Sequence, residues 1–329
     1  MEQSATTAHT SNFATAHENG RSSLCIGVVG LGNMGAAFAR NLVSNGYRTI
    51  VFDRNKSKRD ACSGAQPVDA IRDLSPCDLI FTSLPNDEVI LALCEGENGL
   101  LAAMKRGAIH ISTSTISPTA ARRLSLLHEQ RGQGYVASPV LGNPDLAAAA
   151  KVFFMVGGPV TQVDQVIPVL DKLGQHVFAM GDDPGHANLM KLAANVMIAT
   201  TLQSMGETLA LLRKGGIDAE LGFEVLTNSL FDSKVHKTYG GKILKEHYRP
   251  AGMVVPLALK DMRLALTEAE HTATPMPFTS IVRDRMVAMM ARGWEELDWS
   301  ALGLLASQDA RLPSAQELSD VVILHDQCA

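Results

Sequence analysis

The chain has 329 residues, of which 46% are hydrophobic and 19% charged, with a formal net charge of −5. That length exceeds most single cores and predicts two domains. Lys and Arg are thinly spread, which argues against a nucleic-acid partner, and no uncharged apolar run reaches the ~18 residues of a membrane helix. The five cysteines, Cys25, Cys62, Cys77, Cys94 and Cys328, show no C-x-x-C pairing and no His partners at metal spacing. They read as reduced thiols of a cytoplasmic protein, with no metal assigned.

Residues 1–23 are polar and lack an apolar segment, so a disordered tail is expected rather than a secretory signal. From 24 onward short apolar strands are expected at 24–30, 48–53, 78–84, 108–112, 134–138, 152–157 and 175–179. Helical patterns lie between them, as at 33–45, 86–93, 118–131 and 159–172. This alternation through residue 180 implies an α/β unit over 24–183 with one mostly parallel, doubly wound sheet. The cluster "GDDPG" (181–185) breaks it, with Pro184 placed to start a helix. One long helix is expected over 186–214, stopped by Gly215 and Gly216. Helices alone follow, near 218–229, 234–246, 256–272, 277–292 and 299–306, which makes 184–310 an all-α unit and leaves 311–329 as a tail.

"VVGLGNMGAAFARNL" places Gly30, Gly32 and Gly35 as G-x-G-x-x-G directly after a strand and at the start of a helix. In that context each glycine has a task. Gly30 makes the tight turn, Gly32 admits a diphosphate to the backbone, and Gly35 lets helix and strand pack. Leu31 completes the loop, and the amides of Asn33, Met34 and Gly35 face the diphosphate at the positive end of the helix. The second strand ends at Asp53, 18 residues beyond Gly35, where an acid receives the adenosine ribose hydroxyls. A carboxylate there repels a 2′-phosphate and favours NAD. Arg54 beside it suits NADP, which keeps that cofactor open.

The long helix raises a further question. In "GHANLMKLAANVMIAT" (185–200) apolar residues cover nearly the whole circumference at helical spacing, as in a buried helix. Asn188, Lys191 and Asn195 nevertheless form one polar stripe on it.

These stretches, with "SLPNDEVI" (83–90), "STISP" (114–118), "SPVLGNPDLAAAAKVFFMVGGP" (138–159) and "LKDMRLALTEA" (259–269), resemble the β-hydroxyacid dehydrogenase family. That family includes 3-hydroxyisobutyrate dehydrogenase and tartronate semialdehyde reductase. The resemblance runs over about 24–306, in order. It implies an N-terminal Rossmann domain, a long interdomain helix and an all-α C-terminal domain. It implies NAD(P)-dependent hydride transfer to or from a β-hydroxy acid, its semialdehyde or its keto form, in a homodimer or homotetramer. By the same resemblance Leu84, Pro85 and Val89 line the cofactor cleft, Thr115 lies near the nicotinamide, and Lys260 lies near cofactor and substrate. Lys191 is the catalytic lysine and Asn195 its amide partner. A lysine among apolar neighbours loses proton affinity, which suits it to take the hydroxyl proton or return it. Without the resemblance, Lys260 and Asp261 would read as a solvated pair.

The chain departs from the family at one loop. Where relatives carry Pro-Val-Ser-Gly-Gly, with the serine and glycines holding the substrate carboxylate, this chain has Pro139, Val140, Leu141, Gly142 and Asn143. Leu141 removes a hydroxyl and adds apolar bulk, so a bulkier or less acidic substrate is expected, with Asn143 a candidate polar contact. Two alternatives remain: an imine reductase on the same fold, although such enzymes usually carry Asp or Tyr in place of Lys191, and a non-catalytic assembly domain.

Overall fold

A computed structural model gives the structure of the protein and describes residues 24–313. The expected tail 1–23, most of the tail 311–329 and Cys328 lie outside the described residues. The first part alternates strands and helices: β1 (Cys25–Val29), α1 (Asn33–Ser44), β2 (Arg48–Phe52), α2 (Lys56–Asp60), β3 (Gln66–Pro67), β4 (Leu79–Thr82), α3 (Asp87–Cys94), α4 (Leu100–Ala103), β5 (Ile109–Ser112), α5 (Pro118–Glu129) and β6 (Gly134–Ala137). The strands pair in the order β3-β2-β1-β4-β5-β6, every pair parallel. The order reverses at β1 and β4, and doubly wound sheets bind ligands beyond the strand ends at that point. Parallel strands buried on both faces are apolar throughout. Here Ile26 and Val28 pack with Phe38 and Leu42 on one face. Cys25 and Val29 pack with Ile90 and Leu124 on the other.

Next come β7 (Val140–Leu141), α6 (Pro144–Ala148), β8 (Val152–Val156), α7 (Val160–Leu170) and β9 (Gly174–Ala179). The sequence implied that 152–157 and 175–179 continue the main sheet. They form instead a separate three-stranded sheet, β7-β8-β9, with β7 antiparallel to β8. Ser138 and Pro139 are too few for a parallel crossover, so β7 leaves the main sheet, and β8 pairs with β7 rather than along β6. A single bridge, Ala137 to Gly157, ties the small sheet to β6.

The long helix α8 (Pro184–Lys214) starts on an Asp183 cap and stops at Gly215. Its first turns pack on α5, β6 and β8. Beyond them α9 (Ala219–Thr227), α10 (Lys234–Leu244), α11 (Val255–His271), α12 (Pro277–Ala291) and α13 (Leu302–Asp309) gather around it. Leu192, Val196, Leu202 and Met205 of α8 share a core there with Met262, Met286, Trp299 and Leu305. The expectation that α8 is buried all round is corrected. Met197 is 71% exposed, and Leu189 and Met190 are exposed on the same outer face. Neighbours cover α8 on its inner side only, so helical spacing overstated its burial.

Candidate active site

The glycine loop has the shape its spacing demands. Gly30 turns at φ +86°, and its amide donates to Phe52 O at 3.0 Å. A Cβ on Gly30 would lie 2.4 Å from Ser83 O, and one on Gly35 would lie 1.9 Å from Gly30 O. Above Gly32 a Cβ would meet nothing within 4 Å. Because α1 begins without a side-chain cap, the amides of Asn33, Met34 and Gly35 point into that open space. An uncapped helix start beneath an open cradle fits the diphosphate of a dinucleotide. Asp53 stands at the end of β2 as expected. Its Oδ2 accepts from Leu31 N at 2.7 Å and its Oδ1 from Asn55 N at 2.8 Å. The carboxylate is thereby fixed beside the loop, with lone pairs left for ribose hydroxyls. Arg54 is exposed next to it.

Two loops follow the ends of β4 and β5. Leu84 N donates to Ser114 Oγ at 2.8 Å, which joins them. Asn86 caps α3 by accepting from Val89 N, so Leu84, Pro85 and Val89 lie together at the sheet's C-terminal edge. Thr115 sits in the second loop. Lys260, on α11, reaches both loops: its Nζ donates to Pro85 O at 2.9 Å and to Thr115 O at 2.5 Å. The Lys260 ammonium therefore ties the helical unit to the cofactor edge of the sheet.

Behind that contact runs a polar chain. Lys191 Nζ donates to Asn195 Oδ1 at 3.0 Å. Asn195 Nδ2 donates to Asp261 Oδ2 at 2.6 Å. Asp261 Oδ1 lies 3.1 Å from Lys260 Nζ. Asp261 is 1% exposed and Asn195 is 2% exposed. The carboxylate fixes the amide: it can only accept, so Nδ2 faces it and Oδ1 faces Lys191. Burial pulls the Lys191 pKa down to about 8; the Asp261 carboxylate opposes this and the Lys260 ammonium adds to it. An amine titrating there exchanges protons near neutral pH. Asp261 was missed by the sequence reading; it is buried against Asn195 rather than solvated beside Lys260. Its signal was an acid set among Ala258, Met262, Ala265 and Ala269, the buried stripe of α11.

The remaining expected residues separate. Asn188 accepts from Ile116 N at 3.5 Å and holds the second loop against α8. His186 is exposed. Leu141 packs partly buried on the sheet core. Gly142 is exposed with φ +144°. Asn143 caps α6, accepting from Leu146 N at 2.9 Å, so its side-chain oxygen serves local structure first.

The geometry defines a dinucleotide-dependent oxidoreductase of the two-unit Rossmann type. Residues 25–181 match the NAD binding domain of 6-phosphogluconate dehydrogenase. Residues 185–305 match the NAD-binding segment of NADP-dependent 3-hydroxyisobutyrate dehydrogenase. The uncharacterized oxidoreductase YfjR of Bacillus subtilis is 34% identical over 280 residues, covering 84% of this chain and 98% of its own. The structure of a Mycobacterium tuberculosis 3-hydroxyisobutyrate dehydrogenase with L-serine is 28% identical with a TM-score of 0.78, over 86% of this chain and 98% of that one. A Myxococcus stipitatus imine reductase shares the fold more distantly, at 21% identity and TM-score 0.60, over 85% and 98%. The chain belongs to the β-hydroxyacid dehydrogenase family and binds NAD(P). Among the described residues no helix is long and apolar enough to cross a membrane.

Proposed function

We propose that the chain transfers a hydride between NAD and a β-hydroxy acid or related alcohol or its carbonyl form, with Lys191 as the proton-transferring group. The carrying observation is the Lys191–Asn195–Asp261 chain on the face that meets the cofactor loops. The bound nicotinamide would supply the hydride acceptor or donor. Glycines 30, 32 and 35 would hold its diphosphate, and Asp53 its ribose hydroxyls. In oxidation the neutral Lys191 amine takes the hydroxyl proton as the carbonyl forms. In reduction its ammonium returns that proton to the developing alkoxide. Asn195 keeps the Lys191 nitrogen in register, and Asp261 keeps Asn195 in register. Asp53 supports NAD over NADP; exposed Arg54 is the feature that would reverse the preference. Leu141, partly buried where relatives have serine, supports a substrate with more apolar bulk than 3-hydroxyisobutyrate. A lysine at 191 favours alcohol over imine chemistry.

The same reading divides the chain into a cofactor domain at 24–183 and a substrate domain at 184–310. It takes the exposed Met197, Leu211, Leu221, Val225 and Phe278 of the helical unit as the buried face of a homodimer or homotetramer. Its place would be the cytoplasm, in keeping with free thiols at Cys25, Cys62, Cys77 and Cys94. The test is a spectrophotometric screen of β-hydroxy acids, simple alcohols and amines with NAD⁺ and NADP⁺. Turnover of a β-hydroxy acid with NAD⁺ supports the reading. Turnover of amines alone overturns it.

A further inference from the structure

Beneath the cofactor loops, one patch of the sheet core is polar. Cys94 of α3, His110 of β5 and His128 of α5 are all fully buried. One sulfur and one nitrogen from each ring lie within 4.8 Å of one another. The sequence assigned no metal ligands because 16 and 18 residues separate these three, far from any short metal spacing. The fold closes those gaps by laying α3 and α5 over one face of the sheet.

The hydrogen bonds fix which imidazole nitrogens carry protons. Gln133 Nε2 donates to Leu101 O at 3.0 Å and Met104 O at 2.7 Å, so its Oε1 accepts from His128 Nδ1, 3.0 Å away. A charged ring here would be an ion held fully out of water, which is costly, so His128 is neutral. Its Nε2 therefore carries a lone pair, facing His110 Nδ1 at 2.9 Å. The far nitrogen of His110 meets Thr82 Oγ1 at 2.9 Å. Tyr135 stacks on His128 and sets its edge to His110, and its buried hydroxyl pairs with that of Ser112.

We propose that Cys94, His110 and His128 form a binding site for one soft metal ion, and that the ion is Cu(I). Charge chooses the ion. One thiolate and two neutral imidazoles leave a neutral centre with Cu(I) and a net positive one with Zn(II), and an unpaired buried charge is costly. The two nitrogens, 2.9 Å apart, must part to about 3.5 Å for bonds of about 2.0 Å in a trigonal ion, and the sulfur, within 4.8 Å of both, must settle about 3.7 Å from each. The balance is simple: Cu(I) binds, Cys94 loses one proton to solvent, and nothing is oxidised or reduced. The His110 proton moves from Nδ1 to Nε2, and the Thr82 hydroxyl turns from donor to acceptor. The centre would staple α3 and α5, which follow the two cofactor loops, to the sheet between them.

The test is competition for Cu(I) against a bathocuproine chelator with the reduced full-length protein, kept native or diluted from urea in the same buffer so that slow entry into the core does not hide the site. Retained copper and the unfolding midpoint are read. Cys25 and Cys77, whose sulfurs are 3.8 Å apart, form the competing thiol pair. One copper per chain, a raised midpoint, loss of both in Cys94→Ser and His128→Gln, and retention in Cys77→Ser are expected. Copper that stays in Cys94→Ser and leaves in Cys77→Ser overturns the assignment, as does absence of binding after both treatments. Tighter retention of Zn(II) than of Cu(I) at the same three residues overturns the choice of ion.

Discussion

Replacing Asp261 with Asn removes a charge while keeping the shape, and two effects follow. The carboxylate and the Lys191 ammonium are separated by one amide and two hydrogen bonds of 2.6 and 3.0 Å, a span of about 7 Å. At an effective dielectric of about 20 that separation is worth about 2.4 kcal/mol. Lys191 is half-buried, so solvent screens part of it. A net change of about one pKa unit remains, from about 8 toward about 7. The sign is downward, because Asp261 favours the charged form of Lys191. Oxidation needs the neutral amine, so kcat/KM for oxidation falls as pH drops below the Lys191 pKa. In Asp261→Asn that fall moves about one unit toward acid. The second effect is loss of register. An Asn at 261 can donate as well as accept, so the Asn195 amide no longer has one preferred orientation. Losing a hydrogen bond to a charged group, worth roughly 1.5–3 kcal/mol, lowers kcat by about ten- to a hundredfold. The assay is the pH dependence of both constants with saturating cofactor, alongside the cofactor dissociation constant. An unmoved acid limb with unchanged kcat would refute the relay.

Asp53→Asn should improve kcat/KM with NADP⁺ at the expense of NAD⁺, since Arg54 is already exposed beside it; a wild-type enzyme that prefers NADP⁺ tenfold contradicts the role given to Asp53. Gly35→Ala places a methyl 1.9 Å from Gly30 O, so the loop must open and cofactor affinity should drop at least tenfold, read by fluorescence titration; unchanged affinity means the loop does not hold the diphosphate. Leu141→Ser should raise activity on 3-hydroxyisobutyrate about tenfold, within the range of a hydrogen bond to a charged group, and lower it on the best substrate from the screen. If neither rate moves, position 141 only packs the loop.

Much of this layout was legible because local rules and the global fold agree. Strand–GxGxxG–helix needs its glycines for contacts that any such turn must make, and both Gly30 and Gly35 show those contacts. Lys191 and Asn195 share a helix face, so helical spacing alone paired them. Asp261 escaped because its partner is 66 residues away and only tertiary packing unites α8 with α11. The small sheet escaped for a related reason, since alternation counts strands without saying which edge each joins. The burial of α8 was overestimated because an apolar circumference records what a surface tolerates, and here one side stays open. Asn143 looked available as a polar ligand, but the proline after it makes it a helix cap.

The most direct measurement of the central claim is hydride transfer by Lys191→Ala, followed in a single turnover with bound cofactor across pH. Removing a general acid–base group should slow it by 10²-fold or more, abolish the limb near pH 8, and leave cofactor affinity within about twofold. Partial rescue by added primary amines would mark the missing proton carrier. A Lys191→Ala enzyme that turns over at the wild-type rate with the same pH profile would place the proton transfer elsewhere and contradict the account.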